Sequence, residues 1–170
     1  MVQESFLTLM AEYCEADQVR ISRWYDAVQQ AGFTGTQTPG LRHHISLATF
    51  PLNREEEAVR IARAAAERFA PLTVDIRHMG VMPGGQVLFA APDMCERLSA
   101  LQRACGSDVV GGHLWLPHTT MLIDTVEHVA AALPALAKVF TPMPARIDRL
   151  RLCAFWPKRE IMDVPLTGQE

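Results

Sequence analysis

Two segments of this chain have the same order and nearly the same length, and this internal repeat restricts the folds available to it. HISLATF, ERFAPLTVDI and VLFAAP in residues 44–92 correspond to HTTMLID, KVFTPMPARI and EIMDVP in residues 118–165, at offsets of 71 to 74 residues. In each segment, apolar alternation and turn residues predict a strand, a helix and a strand pair. Two β-α-β-β units favour a bilobed α+β protein with pseudo-twofold symmetry, in which antiparallel sheets flank a central groove.

The length of 170 residues predicts one domain over residues 1–170. We expect lobe one over 42–92, lobe two over 114–165, and a strand and helix of residues 5–31 packed on both. Strands are predicted over residues 5–13, 42–50, 72–81, 86–91, 114–123, 143–156 and 160–164, and helices over 15–31, 54–69, 94–105 and 125–140. The expected N-caps are Asn53, Asp93 and Asp124. Pro134 predicts a kink or a break in the last helix.

Each unit opens on a strand that carries a histidine two residues before a hydroxyl. The pairs are His44 with Ser46 and His118 with Thr120. Because alternate residues of a strand share a face, each strand presents an imidazole beside a hydroxyl. The duplicated fold would bring the two pairs together across the groove. Two imidazoles can then act as general base and general acid, and two hydroxyls can bind phosphate oxygens.

Other interpretations of the histidines remain open at this point. Either histidine alone is as well explained by a structural position at a strand end, with its hydroxyl bonded to nearby backbone. A zinc site is disfavoured because the chain has no His-x-x-x-His pair and no acidic residue at ligand spacing. We therefore expect neither a metal nor a cofactor.

Composition limits the class of partner. The 16 Lys and Arg against 19 Asp and Glu give a net charge of −3, without the basic surface that long nucleic acids require. No apolar stretch approaches the roughly 20 residues of a membrane span, and the N-terminus has no basic leader. Four dispersed cysteines indicate reduced thiols in a cytoplasmic protein. We expect a cytoplasmic monomer that binds a small anionic substrate or an RNA end, without a membrane.

Alternation also suggests which side chains face the groove. Along residues 143–156, Leu150, Leu152 and Ala154 would face the helices, which leaves Arg149, Arg151, Cys153 and Phe155 on the groove side. Arginines suit bidentate phosphate contacts and tryptophans can stack on a base, although solvated arginines and packed aromatics are the simpler alternatives. The predicted substrate-binding residues are Arg77, His113, Trp115, Arg149, Arg151, Phe155 and Trp156.

The segments QTPGLRHHISL and GGHLWLPHTTM, within the duplicated order, resemble the 2H phosphoesterase superfamily, which is named for two H-x-[ST]-x motifs. That group includes 2′-5′ RNA ligase-like proteins and 2′,3′-cyclic nucleotide phosphodiesterases, and the resemblance covers nearly the whole chain. It departs at four places. Ser46 replaces the commoner threonine, Thr119 stands at a usually apolar position, Met121 stands where leucine is usual, and residues 122–124 lack the basic residue that some RNA-acting relatives carry there.

The resemblance implies a metal-independent phosphoesterase that acts on a 2′,3′-cyclic or 2′-5′-linked nucleotide or RNA-end phosphodiester. The catalytic residues would be His44, Ser46, His118 and Thr120. Two alternatives remain: a non-catalytic nucleotide- or RNA-end-binding module on the same fold, and a phosphoesterase of a non-nucleotide cyclic phosphate.

Overall fold

Strands and helices alternate along most of the chain. The structure, a computed structural model, describes residues 5–106, 109–110 and 113–169. The elements are β1 (Phe6–Tyr13), α1 (Glu15–Gln30), β2 (His44–Phe50), α2 (Glu55–Arg68), β3 (Leu72–Val81), β4 (Val87–Pro92), α3 (Glu96–Cys105), β5 (Val109–Val110), β6 (His113–Leu114), β7 (Thr119–Ile123), α4 (Val126–Val139), β8 (Met143–Phe155) and β9 (Arg159–Pro165). No helix within these residues has the length and apolarity of a membrane span.

Seven strands form one antiparallel sheet with the order β2-β1-β8-β3-β4-β7, and β9 pairs with β8. The path is symmetric about the β8–β3 pair, since β1 lies between β2 and β8 as β4 lies between β7 and β3. The antiparallel α+β fold expected from the repeat is confirmed. The two halves of the sheet do not correspond to the two sequence units. β2 of the first unit lies beside β1, whereas β3 and β4 of the same unit lie in the half of the sheet that contains β7.

The core lies between the sheet and the helices. On β8, Leu150, Leu152 and Ala154 are fully buried, as alternation along this strand predicts. Helix α2 packs against β8 with a face of buried alanines, whose small side chains let the backbones approach closely. Helices α1 and α4 contact each other, with the Trp24 and Phe140 ring centroids 4.7 Å apart.

Several local predictions are wrong. The second motif strand begins at Thr119, not at residue 114, because Pro117 cannot donate a ladder hydrogen bond. The N-caps are Arg54, Cys95 and Thr125. A 3₁₀ turn includes Asn53, and the Asp93 carboxylate pairs with His78 instead. Helix α4 continues through Pro134, and buried side chains before and after the proline hold it against the core.

Candidate active site

The two edges of the strand path, β2 and β7, come together at the motif residues. The Thr119 hydroxyl donates a hydrogen bond to the His44 carbonyl over 3.1 Å, and the Trp115 indole N–H donates to the Ser46 carbonyl over 2.9 Å. Two side chains of the second motif segment therefore bind the backbone of both motif residues in the first. His44, Ser46 and Thr120 line one cavity at this contact between β2 and β7, and His118 is not among the lining residues of that cavity.

A buried pair of hydroxyl groups stabilises this contact between β2 and β7. The Tyr13 hydroxyl lies 2.8 Å from Thr119 Oγ1. Because the Thr119 proton is donated to the His44 carbonyl, Tyr13 must be the donor in this pair. Burial raises the pKa of Tyr13 far above its usual value, so the phenol keeps its proton. Thr119, which occupies a usually apolar position of the motif, thereby connects β1, β2 and β7.

Both motif histidines are held in the same way. His44 Nδ1 lies 2.7 Å from the Arg42 carbonyl, and His118 Nδ1 lies 2.8 Å from the Leu116 carbonyl. A carbonyl can only accept, so each Nδ1 carries a hydrogen, and in the neutral ring Nε2 has the free lone pair. Each imidazole thus keeps Nε2 free to exchange a proton.

Burial lowers the pKa of both imidazoles. For His44, desolvation is the largest cause. The Arg42 carbonyl and the nearby Glu12 carboxylate oppose it, and repulsion from His118 adds to it. For His118, desolvation lowers the pKa and the Leu116 carbonyl opposes it. Burial therefore favours the neutral form of both rings, and the repulsion from His118 further disfavours protonation of His44 when His118 is charged.

Charged side chains lie on the His44 side of the groove. Glu12 is fully buried and lies directly opposite His44 in the β1–β2 register. Its carboxylate accepts from Arg151 Nε over 2.5 Å and lies 3.2 Å from Arg42 Nε. The ion-pair network comprises the carboxylates of Glu12, Glu15, Glu160 and Asp163 and the guanidinium groups of Arg42, Arg149 and Arg151. Four negative charges against three positive ones leave it net negative.

Two cavities meet at His44 and Thr120. The aromatic cavity, about 320 Å³, extends from them toward β8 and includes Ser46. Its apolar lining is Phe6, Met10, Leu41, Ile123, Phe155 and Trp156. The polar cavity, about 270 Å³, extends toward α1. Its polar side chains beyond His44 and Thr120 are Ser22, Tyr25, Asp26, Gln37, Thr38, Arg42, His43 and Thr119.

Residues 34–38 form a strap that crosses the groove and is part of the wall of both cavities. Thr36 N donates to the Ile123 carbonyl over 2.7 Å, and Ile123 N donates to Gln37 Oε1 over 3.0 Å. Gly35 has a φ of +68°, and a Cβ there would lie 2.7 Å from the Ile123 carbonyl oxygen. Only glycine therefore allows the strap to approach β7 this closely.

Hydrogen bonds from α1 also hold the residue before β2, His43. The Gln18 side chain donates to the His43 carbonyl over 2.8 Å and accepts from His43 N over 2.9 Å. The His43 ring turns toward α1, where Nε2 lies 3.1 Å from Ser22 Oγ. Burial lowers the pKa of His43 to about 4, so this ring is neutral. These contacts give His43 a structural role in holding the segment before β2 against α1.

The predicted substrate-binding residues divide into four groups, of which the three arginines are the last. Phe155 and Trp156 line the aromatic cavity with His44 and Ser46, and the Trp156 indole N–H donates to Thr38 Oγ1 over 3.0 Å. Trp115 packs against the core and braces β2. His113 begins β6, and its side chain lies outside the described part of the chain.

The three arginines are held by carboxylates. The register places Arg149 and Arg151 on the face of His44 and Ser46, where Arg149 pairs with Asp163 over 2.7 Å. Arg77 is exposed and lies 3.2 Å from Asp93, and it is not among the residues that line either cavity. Contact of these arginines with substrate stays a prediction.

The sequence did not predict that Glu12, Phe89 and the strap lie at the candidate site. Glu12 is an acidic residue within the apolar strand SFLTLMAEY, at an alternate position that shares a face with Thr8 and Phe6. A charged residue in such a strand could have indicated a functional position. Phe89 lies opposite Thr120 and its ring centroid is 5.5 Å from that of His118. Nothing local in VLFAAP indicates this contact, which depends on the β4–β7 register.

Within the described ranges, no group of three or more His, Cys, Asp or Glu side chains is placed to hold a metal ion. Two free Nε2 atoms can accept and donate protons, and Ser46 and Thr120 can donate hydrogen bonds to an anion between them.

Comparison with known families agrees with this arrangement. The profile of the 2′-5′ RNA ligase superfamily matches residues 16–155. The chain belongs to the 2′-5′ RNA ligase superfamily. The same comparison supports the 2H phosphoesterase resemblance drawn from the two motifs. A search of curated proteins found no significant match.

Solved structures with the same fold include other proteins at low sequence identity. E. coli LigT complexed with 3′-AMP superposes with a TM-score of 0.66 at 16% identity, over 98% of this chain and 100% of that one. LigT complexed with phosphate gives a TM-score of 0.65 at 17% identity over the same shares. TT0787 of Thermus thermophilus gives 0.65 at 16%, over 97% of this chain and 100% of that one. At these identities the likeness shows the fold of this superfamily member.

Proposed function

We propose that the protein is a metal-independent phosphoesterase that cleaves a 2′,3′-cyclic or 2′-5′-linked nucleotide or RNA-end phosphodiester. The observation that carries this proposal is the pair of motif histidines, each held through Nδ1–H by a carbonyl two residues earlier, on two strands joined by Thr119 and Trp115. Solved relatives of this fold bind 3′-AMP and phosphate, which supports an anionic nucleotide ligand.

The phosphate would lie between the two histidine–hydroxyl pairs. Ser46 and Thr120 would donate hydrogen bonds to its non-bridging oxygens as negative charge builds during the reaction. The nucleobase would occupy the aromatic cavity, whose Phe6, Phe155 and Trp156 rings lie within stacking distance of one another. Water would add to phosphorus as the ester bond breaks.

The surroundings of the two imidazoles favour different proton roles. His44, opposite the Glu12 carboxylate, is better placed to hold the proton and would give it to the leaving oxygen. His118, which contacts the Phe89 ring, would be the neutral base that accepts a proton from water. Each such transfer contributes roughly 10²–10⁴-fold to the rate. The four unpaired cysteines support a cytoplasmic location for this activity.

The test is turnover by the purified protein in the presence of EDTA. We expect it to open 2′,3′-cyclic AMP or to cleave a 2′-5′-linked dinucleotide, with a bell-shaped pH profile. Dependence on added metal would contradict the proposal. Binding of 3′-AMP without turnover of any diester would indicate a nucleotide-binding module, and turnover of a non-nucleoside cyclic phosphate alone would indicate a different metabolite.

A further inference from the structure

Under the proposed function, the aromatic cavity would hold the nucleobase and the two motifs would hold the phosphate, which leaves the polar cavity without an assigned ligand. It nevertheless opens directly onto the same two reactive side chains, His44 and Thr120. The two ester groups of a phosphodiester bound between them would extend in two directions, one toward β8 and one toward α1. The second direction leads into the polar cavity.

We propose that the polar cavity is a subsite for an uncharged polyhydroxylated leaving group, such as the sugar of a second nucleoside. The inference rests on the proposed function, and it deepens that function by assigning residues of α1 and the strap to the group beyond the scissile bond. In the reaction, the diester and one water give a phosphomonoester and a free alcohol. The oxygen of the alcohol takes its proton from His44 and leaves into this cavity.

The polar groups in this cavity suit hydroxyl ligands. Tyr25 accepts a hydrogen bond from Gln37 Nε2 over 3.0 Å, which leaves the phenol proton to be donated to a ligand. Among the residues that the structure describes, Asp26 has no hydrogen-bond or ion-pair partner. A carboxylate can accept from both hydroxyls of a sugar diol, which is how acidic residues hold ribose in dinucleotide-binding folds.

The size and charge of the polar cavity indicate which class of leaving group would fit it. A cavity of about 270 Å³ is slightly smaller than sites for drug-sized ligands, which run from roughly 300 to 1,000 Å³, so it fits one sugar or a small nucleoside. The unpaired Asp26 carboxylate repels a further phosphate. Arg42, the cationic side chain in this wall, is already paired with Glu12 and Glu15. A neutral alcohol is therefore favoured over a nucleotide.

The experiment compares two linear diesters of the same nucleoside: 2′-5′-linked ApA and the methyl ester of adenosine 2′-phosphate. They share the adenosine and the scissile phosphate and differ only in the group that would enter the polar cavity. We expect wild-type kcat/KM to be at least about tenfold higher for ApA, the value of one additional hydrogen bond to a charged group. Asp26→Ala should reduce this preference by up to about tenfold and Tyr25→Phe by roughly 2- to 5-fold, in both cases mainly through a lower kcat/KM for ApA.

The control is Glu67→Ala, which removes an exposed helical carboxylate from α2, away from both cavities, and should leave the preference unchanged. Equal kcat/KM for the two diesters in the wild type, or an unchanged preference in both α1 variants, would overturn the subsite while the proposed function stands. If neither diester nor 2′,3′-cyclic AMP is turned over, the proposed function itself is wrong, and the subsite is rejected with it.

Discussion

The two halves of the site have the same backbone arrangement but different electrostatic surroundings. His44 and His118 each donate Nδ1–H to a carbonyl two residues earlier. His44 then lies opposite a buried carboxylate in a net negative network, whereas His118 contacts an aromatic ring. The same arrangement in the two motif segments thus has unequal neighbours. On the proposed mechanism, the equal geometry would position two proton carriers, and the unequal charge would decide which of them holds the proton.

This difference has a structural origin in the strand order. β2 lies beside β1, which contributes Glu12, and β1 lies beside β8, which contributes Arg151. β7 lies beside β4, whose residue opposite Thr120 is Phe89. The strand β9 pairs only with the β8 side and adds Glu160 and Asp163 to the network. The extra hairpin strand therefore breaks the symmetry of the path and supplies charge to one half of the site.

The largest expected effect tests both halves at once. His44→Asn and His118→Asn should each lower kcat by roughly 10²–10⁴-fold, because each removes a proton transfer. Residual activity should lose the basic limb of the pH profile in the His44 variant and the acidic limb in the His118 variant. The measurement is kcat against pH on 2′,3′-cyclic AMP, with His78→Asn as an exposed-histidine control. Loss of the opposite limbs would reverse the assignment of base and acid.

The next effect concerns the connection between the halves. Thr119→Val removes the hydroxyl that bonds both Tyr13 and the His44 carbonyl, which leaves buried polar groups unpaired. We expect a loss of about 2–3 kcal/mol in the free energy of unfolding and a fall of roughly 10- to 100-fold in kcat as the motifs separate. Urea unfolding and steady-state kinetics check this. Thr49→Val, an exposed position on β2, is the matched control and should change neither.

The sequence predicts the repeated parts of the molecule and misses the parts that depend on pairing. The alternation of β8 is a local pattern, and it correctly predicts the buried row of Leu150 and Leu152. The contact between β2 and β7 could not be predicted in this way, because Tyr13 and Thr119 are 106 residues apart and meet only after the sheet has formed. Alternation likewise gives the face of Arg151, but its carboxylate partners depend on the β1 and β9 registers.

A smaller effect isolates the His44 half. Glu12→Gln removes the negative charge that raises the pKa of His44, so that pKa should fall further below its usual value. The proton donor is then lost at lower pH, and the basic limb should move down by about one unit, equivalent to ~1.4 kcal/mol. The pKa of His118 should stay unchanged, since its shift arises from burial and the Leu116 carbonyl. NMR titration of both rings measures this without turnover.

Asp163→Asn is the control for that variant, because it removes another carboxylate that pairs with Arg151. Asp163 lies on β9, three strand spacings or about 14 Å from β2, which exceeds the screening length of about 8 Å at physiological ionic strength. The pKa of His44 should therefore change little. An equal shift in both variants would mean that the whole network, rather than Glu12 opposite the ring, sets the proton affinity.

The smallest effect isolates the His118 half. Gly80 faces the Phe89 ring so closely that a Cβ would lie 2.9 Å from it, and Phe89 in turn packs beside His118. Phe89→Leu should reduce the desolvation of His118, so its pKa should rise toward its usual value and the acidic limb should move up by roughly a few tenths of a unit. Gly80→Ala should displace the ring and move the same limb. Because neither change touches Glu12, the basic limb should move much less than the acidic limb. A matched movement of both limbs would show that repulsion between the two rings, rather than the separate surroundings of each ring, dominates both pKa values.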